Sequence, residues 1–367
     1  MSAETDSNKI EHKEHFHGSD LEKIEKIYGI KKEDITSFSA NVNPLGISYK
    51  LKKELASHID AITSYPDREY TSLRKCIAKY AGTDYTSVLV GNGSTELISL
   101  VIQIKKPSKA LIVGPTYSEY EHEVALGGGR SHYFRLREKD DFKLDIEGLE
   151  NALTSDIDLL VICNPNNPTS SQIDRSSMRR ILDACKEKGI FVMVDETYVE
   201  FSEDTSKITS IPLTEYYNNI IILRGISKFF AAPGLRLGYG LCGNESLMRR
   251  IREGIQPWNV SVVAQAAGCV AAKCTEFEIK TRKLLATEKL YLISELKKLD
   301  IKLYGYAANY IFFKADVKLG EKLRQKNIVI RDCSNYRSLS NGYYRIAVKN
   351  HEDNVKLINA LKMCREE

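Results

Sequence analysis

The chain has 367 residues, 43% of them hydrophobic, and 53 basic residues against 49 acidic ones give a formal charge of +4. That length suggests two domains, or one large and one small, and the apolar fraction is enough to fill a sizeable core. The near balance of charge gives no reason to expect nucleic acid or an anionic membrane as a partner, and no apolar run approaches the roughly 20 residues of a membrane span.

The N-terminus, MSAETDSNKIEHKEHFHGSD, is polar and lacks the apolar core of a secretory leader. Its histidines His12, His15 and His17 read as part of a solvated arm rather than a metal site. The eight cysteines are scattered and none forms a CxxC pair. This usage reads as reduced thiols in a cytoplasmic enzyme without a metal site.

GNGSTELISLV (91–101) sets Gly91 and Gly93 just ahead of a helical pattern. KALIVGPTY (109–117), SDIDLLVICNPNNP (155–168), IFVMVDETY (190–198) and NNIIILRGISK (218–228) read as buried strands ending in polar loops. The stretch 176–189 between them has helical spacing, with Gly189 as its stop. Such alternation predicts an α/β fold with a mostly parallel sheet covered on both faces by helices. Ligands then lie beyond the carboxyl ends of the strands, where these polar loops fall. A long amphipathic helix is expected over 276–299, then strands at 309–315, 327–333 and 343–349 and a closing helix. That pattern predicts a smaller α+β C-terminal domain. The expected division is an N-terminal arm (1–45) packing near the small domain, a large domain (46–259) and the small domain (260–367).

Four segments carry chemistry. Gly91 and Gly93 let backbone approach a ligand, and Ser94 and Thr95 at a helix start suit a phosphate, although an ordinary capped helix reads the same way. CNPNNPT ends one strand and VDETY another, offering Asn167, Tyr198 and the carboxylate of Asp195. A buried lone carboxylate needs a cation, and a protonated pyridine nitrogen is one. RGISKFFAAPGLRLGYG (224–240) adds Lys228 and Arg236. A phosphate cradle, an anion, hydroxyl partners and an amine are what pyridoxal 5′-phosphate needs.

The ordered set GNGSTE, PTY, NPNNPT, DETY, SK and PGLRLGY resembles the fold-type I pyridoxal-phosphate enzymes of the class I/II aminotransferase superfamily, from about residue 15 to the C-terminus. Its closer likeness is to the histidinol-phosphate aminotransferase branch. Through HGSD, FSANVNPLG, QPWNVS and IRDCSNY it is most similar to the threonine-phosphate decarboxylases there. The resemblance implies that Lys228 forms the Schiff base and that Asp195 faces the pyridinium. Asn167 and Tyr198 would hold the ring hydroxyl, and Tyr117 would stack on the ring. Ser94, Thr95 and Arg236 would bind the cofactor phosphate, joined by Tyr65 from a neighbouring subunit of a homodimer. Arg345 would take the substrate carboxylate, and His17, Ser39, Asn41, Asn43 and Arg331 the substrate phosphate. Two positions depart from the pattern: Gly225 stands where a phosphate-binding Ser or Thr is usual, and Ser170 replaces the glycine of NPTG.

The implied substrate is a small phosphorylated amino acid or amine. The implied reaction is decarboxylation of L-threonine O-3-phosphate to (R)-1-amino-2-propanol phosphate, a step of cobalamin biosynthesis. Transamination of histidinol phosphate or another amino acid stays open, because both reactions ask for the same charges. A non-catalytic regulator of this fold would need a DNA-binding domain, and none fits ahead of residue 40.

Overall fold

The computed structural model describes residues 21–366. In chain order its strands are β1 (Thr36–Ser37), β2 (Val88–Asn92), β3 (Lys109–Gly114), β4 (Arg130–Arg135), β5 (Leu159–Cys163), β6 (Phe191–Asp195), β7 (Ile220–Gly225) and β8 (Leu237–Leu241), then β9 (Lys302–Gly305), β10 (Tyr310–Lys314), β11 (Ile328–Val329), β12 (Arg331–Asp332) and β13 (Tyr343–Ala347).

Seven strands form one sheet in the order β2-β8-β7-β6-β5-β3-β4. Neighbours from β7 to β4 run parallel, while β8 is antiparallel to both β2 and β7. Strands β5, β6 and β7 are buried at every position. Along β6, Val192 and Val194 enter one apolar cluster and Phe191 and Met193 the other. Alternate side chains point to opposite faces, so both faces are covered. The α/β architecture is therefore as the alternating pattern predicts. Strands β4 and β8 were not legible, because Arg-Ser-His-Tyr-Phe-Arg and Leu-Gly-Tyr-Gly-Leu give no apolar run, and β2 offers only the short run Val88 to Val90.

The C-terminal part builds an antiparallel sheet, β12-β13-β10-β9, against the helix Thr275–Lys298. The strand expected over 327–333 is split. β11 pairs in parallel with β1, whereas β12 pairs with β13. The break at Ile330 lets one short segment serve two sheets. Residues 36–39 are stitched to it: Phe38 N–H donates to the Val329 carbonyl at 2.7 Å, and Ala347 N–H to the Phe38 carbonyl at 2.8 Å. No helix among the described residues is long and apolar enough to cross a membrane.

Beneath the ends of β6 and β7 lies a buried ion cluster. Arg224 donates to Glu196 Oε2 from Nε at 3.0 Å and from Nη2 at 2.6 Å. Its Nη1 stands 3.6 Å from Glu200 Oε1. Burial pushes the Glu200 carboxyl up to about 7, with Arg224 opposing the shift.

Candidate active site

The helix Gly93–Lys105 follows β2 directly. Ser48, Asp145, Asp174, Asn244 and Ser261 each cap their helix with a side-chain oxygen, but Asn92 does not. The first N–H groups of Gly93–Lys105 are thus left for another acceptor, at the positive end of the helix dipole. Gly93 has φ +77°, and an added Cβ would collide with the Arg236 guanidinium. A Cβ on Gly238 of β8 would collide with the Ser94 backbone N. Two glycines therefore let β8, Arg236 and Ser94 close into one cradle suited to an anion.

Beside it, Asp195 ends β6 and is 5% exposed. Its Oδ2 accepts from the Tyr120 hydroxyl at 2.7 Å and its Oδ1 from Thr197 N–H at 2.9 Å. Burial raises its pKa against the pull of these bonds. Among the described residues no cationic side chain pairs with it. Tyr117 stands edge-on to Tyr120, ring centroids 5.6 Å apart. Burial pushes its phenol up to about 12, with Glu119 and Asp195 adding to the shift, and Thr95 lies within reach of the hydroxyl.

Lys228 follows β7 and is half-buried, with no acceptor on its Nζ among the described residues. Burial, then Arg345, then Arg236 lower its pKa to about 8. The loop is braced from behind: Asn43 N–H donates to the Lys228 carbonyl at 3.0 Å, and Asn43 Nδ2 to the Phe229 carbonyl at 2.7 Å.

Arg345 of β13 lies directly opposite Arg331 of β12, and the two are 5% and 7% exposed. Arg345 donates to Asn167 Oδ1 from Nη1 and to the Ser39 carbonyl from Nη2, the latter at 2.6 Å. Arg331 donates to Asn335 Oδ1 at 2.9 Å and lies over the Tyr336 ring. Neither has a carboxylate partner among the described residues. Like charges directly opposed across strands destabilise a sheet unless anions answer them. Nearby, Asn41 faces the Tyr198 phenol, while its two side-chain polar atoms and Ser39 Oγ are buried without a closed hydrogen bond.

Thus Ser94 and Thr95 at a helix start, Arg345 within β13, and Tyr117, Asn167, Asp195, Tyr198, Lys228, Arg236, Arg331, Ser39 and Asn41 on strand ends and loops are linked by the contacts above. His17 lies outside the described residues. Tyr65 is 78% exposed and packs on Trp258, ring centroids 4.5 Å apart. The Asn43 amide donates to the Phe229 carbonyl and Thr281 Oγ1 and accepts from Leu45 N–H, so in this chain it braces the lysine loop.

Tyr120, Tyr336 and Asn335 were missed, since nothing in the local sequence marks a tyrosine on a buried helix face as an aspartate partner. Gly225 has room for a Cβ, its nearest contact being the Leu237 carbonyl oxygen at 3.4 Å. Ser170 adopts φ +53°, which explains why glycine suits that place. Its hydroxyl accepts from Ala308 N–H at 3.0 Å and donates to the Tyr310 carbonyl at 3.2 Å, offsetting a strain of roughly 1–2 kcal/mol.

A recess of about 520 Å³ lies elsewhere, lined by Arg68, Arg74, Arg249, Arg252 and Trp258 among others. It contains neither Lys228 nor Asp195, so its size does not make it the site of chemistry. The strand-end residues fit the pyridoxal phosphate that the resemblance implies. The uncapped helix with its glycine cradle suits a phosphate, and the buried, cation-free Asp195 suits a protonated ring nitrogen.

Residues 33–361 match the family described as aminotransferase class I and II. A threonine-phosphate decarboxylase of Salmonella typhimurium is 35% identical over 350 residues, covering 94% of this chain and 95% of its own. The structure of a histidinol-phosphate aminotransferase from Clostridium acetobutylicum superposes with a TM-score of 0.85 at 30% identity, over 90% of this chain and 98% of its own. That of an L-threonine-O-3-phosphate decarboxylase from Porphyromonas gingivalis does so with a TM-score of 0.81 at 25% identity, over 90% and 99%.

Proposed function

The chain belongs to the class I and II aminotransferases, which work with pyridoxal 5′-phosphate, and from that premise we propose that it decarboxylates L-threonine O-3-phosphate to (R)-1-amino-2-propanol phosphate. The observation that carries the reading is the buried cross-strand pair Arg331 and Arg345, without carboxylates to neutralise it. A substrate with a carboxylate at one end and a phosphate at the other answers both charges.

Ser94, Thr95, the open helix N-terminus and Arg236 would hold the cofactor phosphate, and Tyr117, Asn167 and Tyr198 would hold its ring. When bound, pyridoxal phosphate supplies an electron sink for the pair left by a bond broken at the substrate's Cα. Asp195, desolvated and steadied by Tyr120, keeps a ring proton in place. Lys228, its pKa lowered to about 8, is part neutral near pH 7, so its amine serves as nucleophile and proton carrier. Arg345 and Arg331 would fix the two ends of the substrate and so orient its Cα for reaction. Ser39 and Asn41, with unanswered buried polar atoms, line the same side.

The working unit is a homodimer in which the exposed Tyr65 reaches the partner's cofactor phosphate. The exposed Ile59, Ile62 and Trp258 support a partner surface near it. Eight cysteines with no disulfide among the described residues fit the reducing cytoplasm. A second reading, transamination of histidinol phosphate, is favoured by the 0.85 TM-score to an enzyme of that name. Incubation with L-threonine O-3-phosphate and no keto acid separates the two. Catalytic release of CO2 with aminopropanol phosphate is expected. Turnover of histidinol phosphate with 2-oxoglutarate and no CO2 from threonine phosphate would replace the first reading with the second.

A further inference from the structure

Two cysteines outside this site face each other. Cys76 lies on the helix Thr71–Ala81 and Cys269 on the helix Val262–Ala271. Both are free and partly exposed, while the other six cysteines are buried. Cys269 Sγ donates to the Ser72 carbonyl at 3.7 Å, one helical turn before Cys76, and Cys76 is the neighbouring group that acts on its thiol.

The helices that carry them cannot drift apart easily. The Tyr70 hydroxyl donates to the Val260 carbonyl and accepts from Val260 N–H, both at 3.0 Å, tying the two helix starts. Farther along, Gly268 packs so closely on Leu73 that an added Cβ would stand 2.6 Å from it. Cys76 is one turn beyond Leu73 and Cys269 one residue beyond Gly268, so both thiols lie beside this fixed contact. The exposed Lys273 lies one turn after Cys269 and adds a nearby positive charge.

We propose that Cys76 and Cys269 are a reversible dithiol–disulfide site, oxidised by low-molecular-weight disulfides. Cys76 attacks one sulfur of the small disulfide as a thiolate and displaces its other half as a thiolate. Cys269 then loses its proton and attacks Cys76 Sγ, releasing the second half. The pair gives up two electrons and two protons, and one small disulfide becomes two small thiols. Burial and the neighbouring Cys76 raise the Cys269 thiol to about 12. The bond would staple the two helices beside their Gly268–Leu73 contact.

The test uses the full-length holoenzyme incubated with oxidised glutathione, denatured, alkylated and mapped by mass. The expected product is a Cys76 peptide joined to a Cys269 peptide within one chain, lighter by two hydrogens. Alkylatable thiols fall from eight to six, and dithiothreitol restores both. In Cys76→Ser the cross-link is absent and Cys269 stays alkylatable. The wild-type map decides the matter even if that variant misfolds. A lasting glutathione adduct without a cross-link, a bond between two chains, cross-links spread over other cysteines, or eight unchanged thiols would each overturn the site.

Discussion

At the scale of single residues, the proposed chemistry rests on charges placed where water cannot answer them. Asp195 is the clearest case, a buried carboxylate with two hydrogen bonds and no cation among the described side chains. Asp195→Asn should keep the fold, because Tyr120 and Thr197 can still bond to an amide, yet turnover should fall on the order of 10²-fold or more. Circular dichroism and kcat measured together check this, and near-normal kcat would reduce Asp195 to a turn residue. The arginines make a sharper test. Arg331→Ala should erase the preference for phosphorylated over unphosphorylated threonine. Arg345→Ala should weaken both amino acids alike while sparing histidinol phosphate, which lacks a carboxylate. Each loss is expected to be roughly 2–5 kcal/mol in kcat/KM, part of it from an anion left unpaired. If Arg331→Ala retains the phosphate preference, the assignment of its role fails.

At the scale of elements, the site depends on how closely strands and helices approach. Gly238 allows β8 to lie against the start of the helix Gly93–Lys105. Gly238→Ala should push the two apart, costing about 1–3 kcal/mol of stability and loosening the cofactor. Thermal melting and a cofactor dissociation constant would show both effects, and a variant normal in both would mean the cradle yields easily. The ion cluster under β6 and β7 gives a pH effect. The folded pKa of Glu200, about 7, lies above the ordinary carboxylate value, so the folded chain binds the extra proton. Its stabilising share is full at low pH and is lost as pH rises through about 7. Glu200→Gln keeps a neutral group there, so its melting temperature should exceed wild type at pH 8 and approach it near pH 5. An equal gap at both pH values would contradict this. Much of this scale was legible in sequence: the apolar runs behind β5, β6 and β7 have no alternative to burial. What stayed hidden was the antiparallel β8, whose Leu-Gly-Tyr-Gly-Leu lacks an apolar run, and the split at Ile330, which only pairing with β1 and β13 explains.

At the scale of the molecule, two sheets and an N-terminal segment converge on one place. The candidate residues from the large sheet were legible because polar loops at strand ends form short ordered motifs. The backbone-bracing bonds of Asn43 were not legible, because an asparagine near a site looks the same whether it faces a ligand or a backbone. Tyr65 stayed apart from the rest because a single chain does not contain its proposed target. If it acts across a dimer, mixing Lys228→Ala and Tyr65→Ala subunits should restore activity that neither variant has. With equal mixing, roughly a quarter of wild-type turnover is expected, since half the dimers are hybrid and each hybrid has one intact site. Recovery absent despite confirmed hybrid formation would place Tyr65 outside the working site.

The bond from Arg345 to Asn167 joins the C-terminal sheet to a loop of the large one. On the proposed reading, one end of that bond grips the substrate and the other the cofactor. A mutation at Arg345 is then felt by both, so a lineage drifting toward new substrates would risk its cofactor at that step. Arg331 is tied to Asn167 only indirectly, through the Tyr336 ring it stacks on, whose hydroxyl donates to Asn167 Oδ1 at 3.5 Å. Innovation in this fold should therefore enter through position 331 and leave position 345 alone. The two arginines, equal in charge and nearly equal in burial, are unequal in evolutionary freedom.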